Sequence, residues 1–261
     1  AELAPGRQLE VLNASVDGYG TAQELLLFRD RVARYDADLV LLQMFLGNDL
    51  TDNYAGSNPS HYLEQRCGRP YFTLEDGALE PLATPSDSKP KSPNLLDRML
   101  RVSKLYGNLV SLPPKRPPRL RKLDIFRTAP HQPLEESWDL TQRLVLTLRD
   151  EVEARGSTLM VLVIPTKYEV HQKANPELVA GVHDLARPIQ RLERFLEGAD
   201  IPFINMAPFL ETAIVDRGTQ PYFEIDSHLR SEGHALLAHE IRVFLLEHCK
   251  TLGLPAAGCA S

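Results

Sequence analysis

The chain has 261 residues, 43% hydrophobic and 25% charged, enough apolar surface for one large globular core. A formal net charge of -6 leaves no surplus of Lys and Arg to meet a phosphate backbone, which excludes nucleic acid as the main partner. No apolar run reaches the roughly 18 residues that would cross a bilayer.

Position 1 is Ala rather than Met, and no charged-then-apolar leader follows. The beginning of the protein is therefore expected to lie upstream. Cys67, Cys249 and Cys259 fall in no CxxC or Cys/His spacing of a metal site, and their odd number leaves open one disulfide or free thiols.

In chain order, the first ten residues read as the end of a helix and a turn. Leu9–Val16 is a largely apolar run stopped by Gly18 and Gly20, which predicts a buried strand and a turn. Thr21 and Glu24 form a capping box ahead of an apolar face made by Leu25, Leu26, Phe28 and Val32. Ala37–Leu46 is almost continuously apolar, the pattern of a parallel strand covered on both faces.

From about residue 52 to 135 the pattern loosens into an expected insertion over one end of the sheet. Inside it, Tyr71–Leu74 and Ala78–Glu80 flank Asp76-Gly77 as a hairpin. Leu95–Val110 reads as a helix, and the proline-rich Leu112–Arg119 as neither helix nor central strand.

Regular alternation then resumes with a helix over Trp138–Ala154 and a strand over Leu159–Ile164. A helix capped by Asn175 is expected to run to Glu197, disturbed at Pro188. Ile201–Asn205 is the last strand, and Ser231 caps a closing helix through Leu245. This order is that of a single α/β three-layer domain.

Ligands of open α/β sheets bind at the carboxyl ends of the strands, and three groups fall there. Asn13–Gly20 is a glycine-rich turn that exposes backbone N–H groups. Gly47-Asn48-Asp49 follows an apolar strand, and an amide side chain there can donate to a developing oxyanion. Asp226 and His228, at i and i+2 of an extended stretch, point the same way, so the carboxylate can hold one imidazole nitrogen and leave the other as a base.

The ordinary reading of each group alone is a turn, a helix cap or a solvated loop; together, in this order, they point to a site. Thr166 and Lys167 end a strand at the same edge. His61, His131 and His171 read as solvated loop residues, and His234 as a capping or packing residue. Lys115, Arg116, Arg119, Arg121 and Lys122 read as a solvated basic loop.

The ordered set resembles the SGNH/GDSL hydrolase superfamily across nearly the whole chain. Val11–Gly18 resembles the second sequence block, which implies that the Gly18 N–H lines the oxyanion hole. Gly47-Asn48-Asp49 resembles the third, which implies that the Asn48 side chain completes it. Asp226-Ser227-His228 with Gly233-His234 resembles the last, which implies Asp226 as orienting acid and His228 as general base. Asn48–Asn53, Arg69–Phe72 and Ile164–Lys167 are similar to one bacterial branch.

Two departures stand out. The commoner Asp-x-x-His spacing would put the acid at Ile225, which cannot serve; Asp-x-His occurs in some branches, alginate O-acetyltransferase-like proteins among them, with Glu224 the lesser substitute. The Gly-Asp-Ser block that carries the nucleophile has no counterpart here. Ser15, Ser57, Ser60 and Ser227 each read as structural, because no spacing holds a base against them.

The resemblance thus implies a flavodoxin-like three-layer α/β/α sandwich with a parallel sheet, its first strand missing from residues 1–261. It implies acyl-ester hydrolysis through a Ser-His-Asp triad whose serine lies upstream, with no metal and no cofactor. An O-acetyltransferase of the same fold and an inactive binding protein are the alternatives. The expected substrate is a small-molecule or polysaccharide ester, and an upstream signal or membrane anchor would make the protein extracytoplasmic.

Overall fold

The computed structural model describes residues 2–4, 7–8, 10–57, 70–82, 120–129, 131–171, 183–225 and 228–254. In chain order the strands are β1 (Glu2–Ala4), β2 (Arg7–Gln8), β3 (Leu39–Phe45), β4 (Phe72–Glu75), β5 (Ala78–Pro81), β6 (Thr158–Ile164) and β7 (Phe203–Asn205). The helices are α1 (Thr21–Asp30), α2 (Asp49–Asn53), α3 (Gln132–Glu153), α4 (Lys167–Val170), α5 (Arg187–Gly198), α6 (Ala207–Arg217) and α7 (Ser231–His248).

Strands β3, β6 and β7 form a parallel sheet in that order, with Phe45 opposite Ile164 and Val163 opposite Asn205. The unbroken apolar run of β6 is what a strand buried on both faces requires. Its alternate residues feed two cores. Leu159, Val161 and Val163, with Leu42 and Met44, meet buried side chains of α1, α3 and α5. Met160, Leu162 and Ile164, with Ile204, meet those of α6 and α7. Helices on both faces of a parallel sheet make the expected α/β/α sandwich.

Several boundaries differ from expectation for local reasons. Where a helix end was expected, the described residues Glu2–Ala4 and Arg7–Gln8 pair antiparallel as β1 and β2. The cap of α1 is Gly20, one residue ahead of Thr21; its N–H donates to Gln23 Oε1 at 2.9 Å, the side-chain half of a capping box, and having no side chain it supplies no other half. Helix α3 starts six residues before Trp138 because Pro133, in its first turn, is preset for a helix start. Helix α5 likewise begins at Arg187, making Pro188 a first-turn residue rather than a disturbance.

Ser231 is the first residue of α7, not its cap; its hydroxyl pairs with Glu232. Helix α6 was not anticipated. The hairpin β4–β5 is as expected, and Asp76 and Gly77 both take the positive φ that its two-residue turn demands. Within the expected insertion, Leu120, Ile125 and Phe126 belong to the same buried core cluster as side chains of α1, α3 and α5. The helix expected at 95–110 and the proline-rich 112–119 lie outside the described residues.

The largest correction concerns Leu9–Val16. Glu10–Val16 forms no strand and is exposed throughout, Val11 to 72%. The physical reason is the sheet itself. Leu46 N–H goes to Ile164 O, so the backbone groups of Leu41 and Gln43 point to the opposite edge of β3. No described strand lies on that edge. Among the described residues, Glu10–Val16 pairs with no strand.

Buried polar groups tie α1, α2 and α3 together where β3 ends. Asn53 is fully buried; its Oδ1 accepts from Ala22 N at 3.0 Å, and its Nδ2 donates to Thr141 Oγ1 at 3.0 Å. Ser137 donates to the Leu50 carbonyl. Asn53→Ala leaves two buried groups unpaired at about 1–3 kcal/mol each, so the urea-unfolding free energy should drop by roughly 2–6 kcal/mol. A drop under about 0.5 kcal/mol, the range of an ordinary surface substitution, would deny Asn53 this role.

Candidate active site

Three loops leave the sheet at its carboxyl edge, and each is shaped by identifiable contacts. After β3 the chain folds back at once: Asn48 N donates to Phe45 O, and the buried Asp49 carboxylate accepts from Phe45 N at 2.7 Å. A Cβ at Gly47 would sit 2.4 Å from the Phe45 ring and 3.2 Å from Thr166 Cγ2. Asn48 Nδ2 donates to Asp52 Oδ2 at 2.7 Å. That leaves the second amide hydrogen of Asn48 for another acceptor.

After β6, Thr166 and Glu169 form a capping box. Glu169 Oε2 accepts from Thr166 N at 2.6 Å, and Thr166 Oγ1 accepts from Glu169 N at 3.4 Å. The other carboxyl oxygen, Oε1, is buried with no hydrogen-bond partner. Desolvation therefore outweighs the bonds from Thr166, and the Glu169 carboxyl is pushed up to about 7.

After α6, residues 221–225 and 228–230 run as two antiparallel arms. Phe223 N donates to His228 O at 3.0 Å, Arg230 N donates to Pro221 O at 2.7 Å, and Tyr222 bridges Leu229. His228 lies exposed on the return arm. A Cβ at Gly233 would fall 2.5 Å from Pro221 O, so the first turn of α7 can press against the hairpin only with glycine there. Tyr222 Oη donates to Pro165 O at 2.8 Å, and Lys167 Nζ donates to Glu224 O at 2.9 Å. A cavity of about 280 Å³ lies between hairpin and turn, lined in part by Lys167, His171, Tyr222 and Phe223.

The Asn48 turn and the His228 hairpin thus both rest on the turn after β6. Gly18 takes φ +74° on the exposed stretch after Val16, with open space where a Cβ would stand. Asp226 lies outside the described residues. Sequence reasoning singled out Lys167 and Thr166 only as edge residues and missed Glu169 and Tyr222. The Thr-x-x-Glu spacing was the available signal for Glu169; for Tyr222, fifty-seven positions from its partner, there was none.

Helices on both faces of a parallel sheet, with candidate residues on loops at its carboxyl edge, are the architecture of an SGNH hydrolase-like domain. The chain belongs to that superfamily: the profile of the SGNH hydrolase-like domain of the acetyltransferase AlgX matches residues 126–258, just over half of it. No curated protein and no solved structure matches the chain.

Glu169, and likewise Glu24, raised to about 7 by burial, make stability depend on pH. Below about 4.5, folded and unfolded chains both hold these protons. Between about 4.5 and about 7 only the folded chain keeps them, so stability falls as pH rises, at up to about 1.4 kcal/mol per unit for each group. Urea midpoints should therefore be lower at pH 8 than at pH 5, and Glu169→Gln should remove about half of that difference. Midpoints that rise with pH would contradict the protonated carboxyls.

Proposed function

We propose that the protein transfers an acyl group, most simply acetyl, from an ester donor to a hydroxyl acceptor by way of a serine acyl-enzyme. The observation that carries this reading is the support of the Asn48 turn and the His228 hairpin on a single turn at the carboxyl edge of the sheet. The family match to an acetyltransferase favours a hydroxyl acceptor over water.

In the proposed reaction, Asp226 holds one imidazole nitrogen of His228 and the other takes the proton of the serine hydroxyl. The serine oxygen adds to the ester carbonyl, and its oxyanion is held by the Gly18 N–H and an Asn48 Nδ2–H. Collapse breaks the donor C–O bond, and the departing alkoxide takes the proton from His228. The acceptor hydroxyl then gives its proton to His228, attacks the acyl carbonyl, and releases the serine, which is reprotonated by His228. Water in place of the acceptor gives the hydrolase.

The serine is assigned to a strand beyond these residues. Support comes from β3, whose outer edge carries no described strand, and from the exposure of Val11, Leu12 and Val16. Within the chain, Ser137 donates to Leu50 O and Ser231 to Glu232, so neither hydroxyl serves a histidine. The disulfide made by Cys249 supports an extracytoplasmic place of action, where such bonds persist.

The 261-residue chain by itself should not turn over p-nitrophenyl acetate. His228-dependent turnover by it would put the nucleophile inside these residues. In a form carrying the serine strand, Asn48→Ala should lower kcat by roughly 10²–10³, the usual loss of one oxyanion donor, and His228→Ala by at least as much. Donor consumption that rises with added polysaccharide hydroxyl acceptor supports the transferase; consumption independent of acceptor makes it an esterase.

A further inference from the structure

The hairpin that carries His228 has little to hold it by itself. The incoming arm is solvated beyond Tyr222, with Ile225 97% exposed, and a lone two-stranded hairpin is marginal in water. Three contacts tie its described arms to the rest of the fold. Tyr222, buried in the core beside Met160 and Ile164, anchors the base through its hydroxyl on the Pro165 carbonyl. Lys167 reaches the incoming arm through the Glu224 carbonyl. Gly233 lets α7 close against the Pro221 carbonyl from the other side.

The same turn touches the Asn48 loop through the Thr166 methyl beside Gly47. Its own shape is fixed by the Thr166–Glu169 capping box, without which a four-residue helix would not persist. The carbonyl of Pro165 and the ammonium of Lys167, two residues apart, thus hold the incoming arm of the hairpin at Tyr222 and at Glu224.

We propose that Lys167 and Tyr222 are positioning residues: by clasping the His228 hairpin to the turn after β6, they set the His228 imidazole relative to Asn48 without touching the acyl group. The proposal rests on the reading of His228 as base for its purpose, but not for its test. Lysine suits the task because its ammonium reaches an exposed carbonyl on a long stem, and an arginine can do the same; methionine keeps the stem and loses the donor.

The test uses the 261-residue chain, with amide hydrogen exchange and the imidazole proton resonances of its histidines as readouts. In Lys167→Met and in Tyr222→Phe, exchange at Phe223 and Arg230 should speed at least tenfold, while amides of β6 keep their protection. The His228 ring resonances should move or broaden, and those of His131 and His239 should not. Lys167→Arg should restore both readouts. Unchanged exchange at Phe223 and Arg230, or equal acceleration across β6, would overturn the clasp. Unchanged His228 resonances beside faster exchange would overturn its positioning role. None of these readouts needs a serine or an acyl donor, so a failure of the acyl-transfer reading shows only in the turnover assays and is distinguishable from a failure here.

Discussion

A carboxyl group folded back onto its own turn, Glu169 onto the Thr166 N–H, determines where the chain goes after β6, and both loops of the candidate site hang from that point. An ionised carboxylate in this place would be costly, because one oxygen is buried without a donor. The protonated form removes that penalty while Oε2 still accepts from the backbone. Burial and capping therefore act together: the core covers Glu169, and Glu169 in turn keeps α4 wound. Through that fixed turn Pro165 offers its carbonyl to Tyr222, Thr166 its methyl to Gly47, and Lys167 its ammonium to Glu224.

What the sequence made legible follows from how local each feature's cause is. Strand β6 was readable because burial on both faces leaves no position for a polar residue. The β4–β5 turn was readable because Asp-Gly tolerates φ of +49° and +79° where most pairs do not. Helix α6 was missed because it buries only Leu210 and Ala213, too few to show a helical stripe; Pro208 and Gly218 were its only punctuation. Leu9–Val16 has the composition of a strand, but a strand also needs a partner edge, and composition is silent on that. In the site, Asn48 and His228 stood out by chemistry. Tyr222 and Glu169 did not, because a buried tyrosine hydroxyl on a distant carbonyl looks like any core residue until the fold brings the two together.

The edge of β3 is informative about what could join it. Its outward backbone groups belong to Leu39, Leu41, Gln43 and Phe45, by alternation from the Leu46 bond to Ile164. Phe45 N–H is already taken by the Asp49 carboxylate. A further parallel strand could therefore form a ladder along Leu39–Gln43 but would find it closed at Phe45. Such a strand would end level with Gln43, and the residues after it would emerge beside the Gly47–Asn48 turn. Asp49 thus acts as a stop that limits pairing at the carboxyl end, where an incoming residue would be needed for chemistry rather than for the sheet.

Three glycines mark the three sequence blocks, and they are glycines for different physical reasons. Gly18 stands in open space at φ +74°, so a side chain there would meet no atom and only the left-handed backbone disfavours it. Gly47 and Gly233 have no such backbone requirement; a Cβ on either would collide, with the Phe45 ring in one case and the Pro221 carbonyl in the other. The distinction matters for how the site is built. Gly18 keeps a flexible turn able to present an N–H, and an alanine there would cost about 1–2 kcal/mol while leaving that N–H in place. Gly47 instead sets how closely the Asn48 loop approaches Phe45 and Thr166, and Gly233 how closely α7 approaches the His228 hairpin. A side chain at either position would force the Asn48 loop or the His228 hairpin to shift without altering the candidate groups themselves.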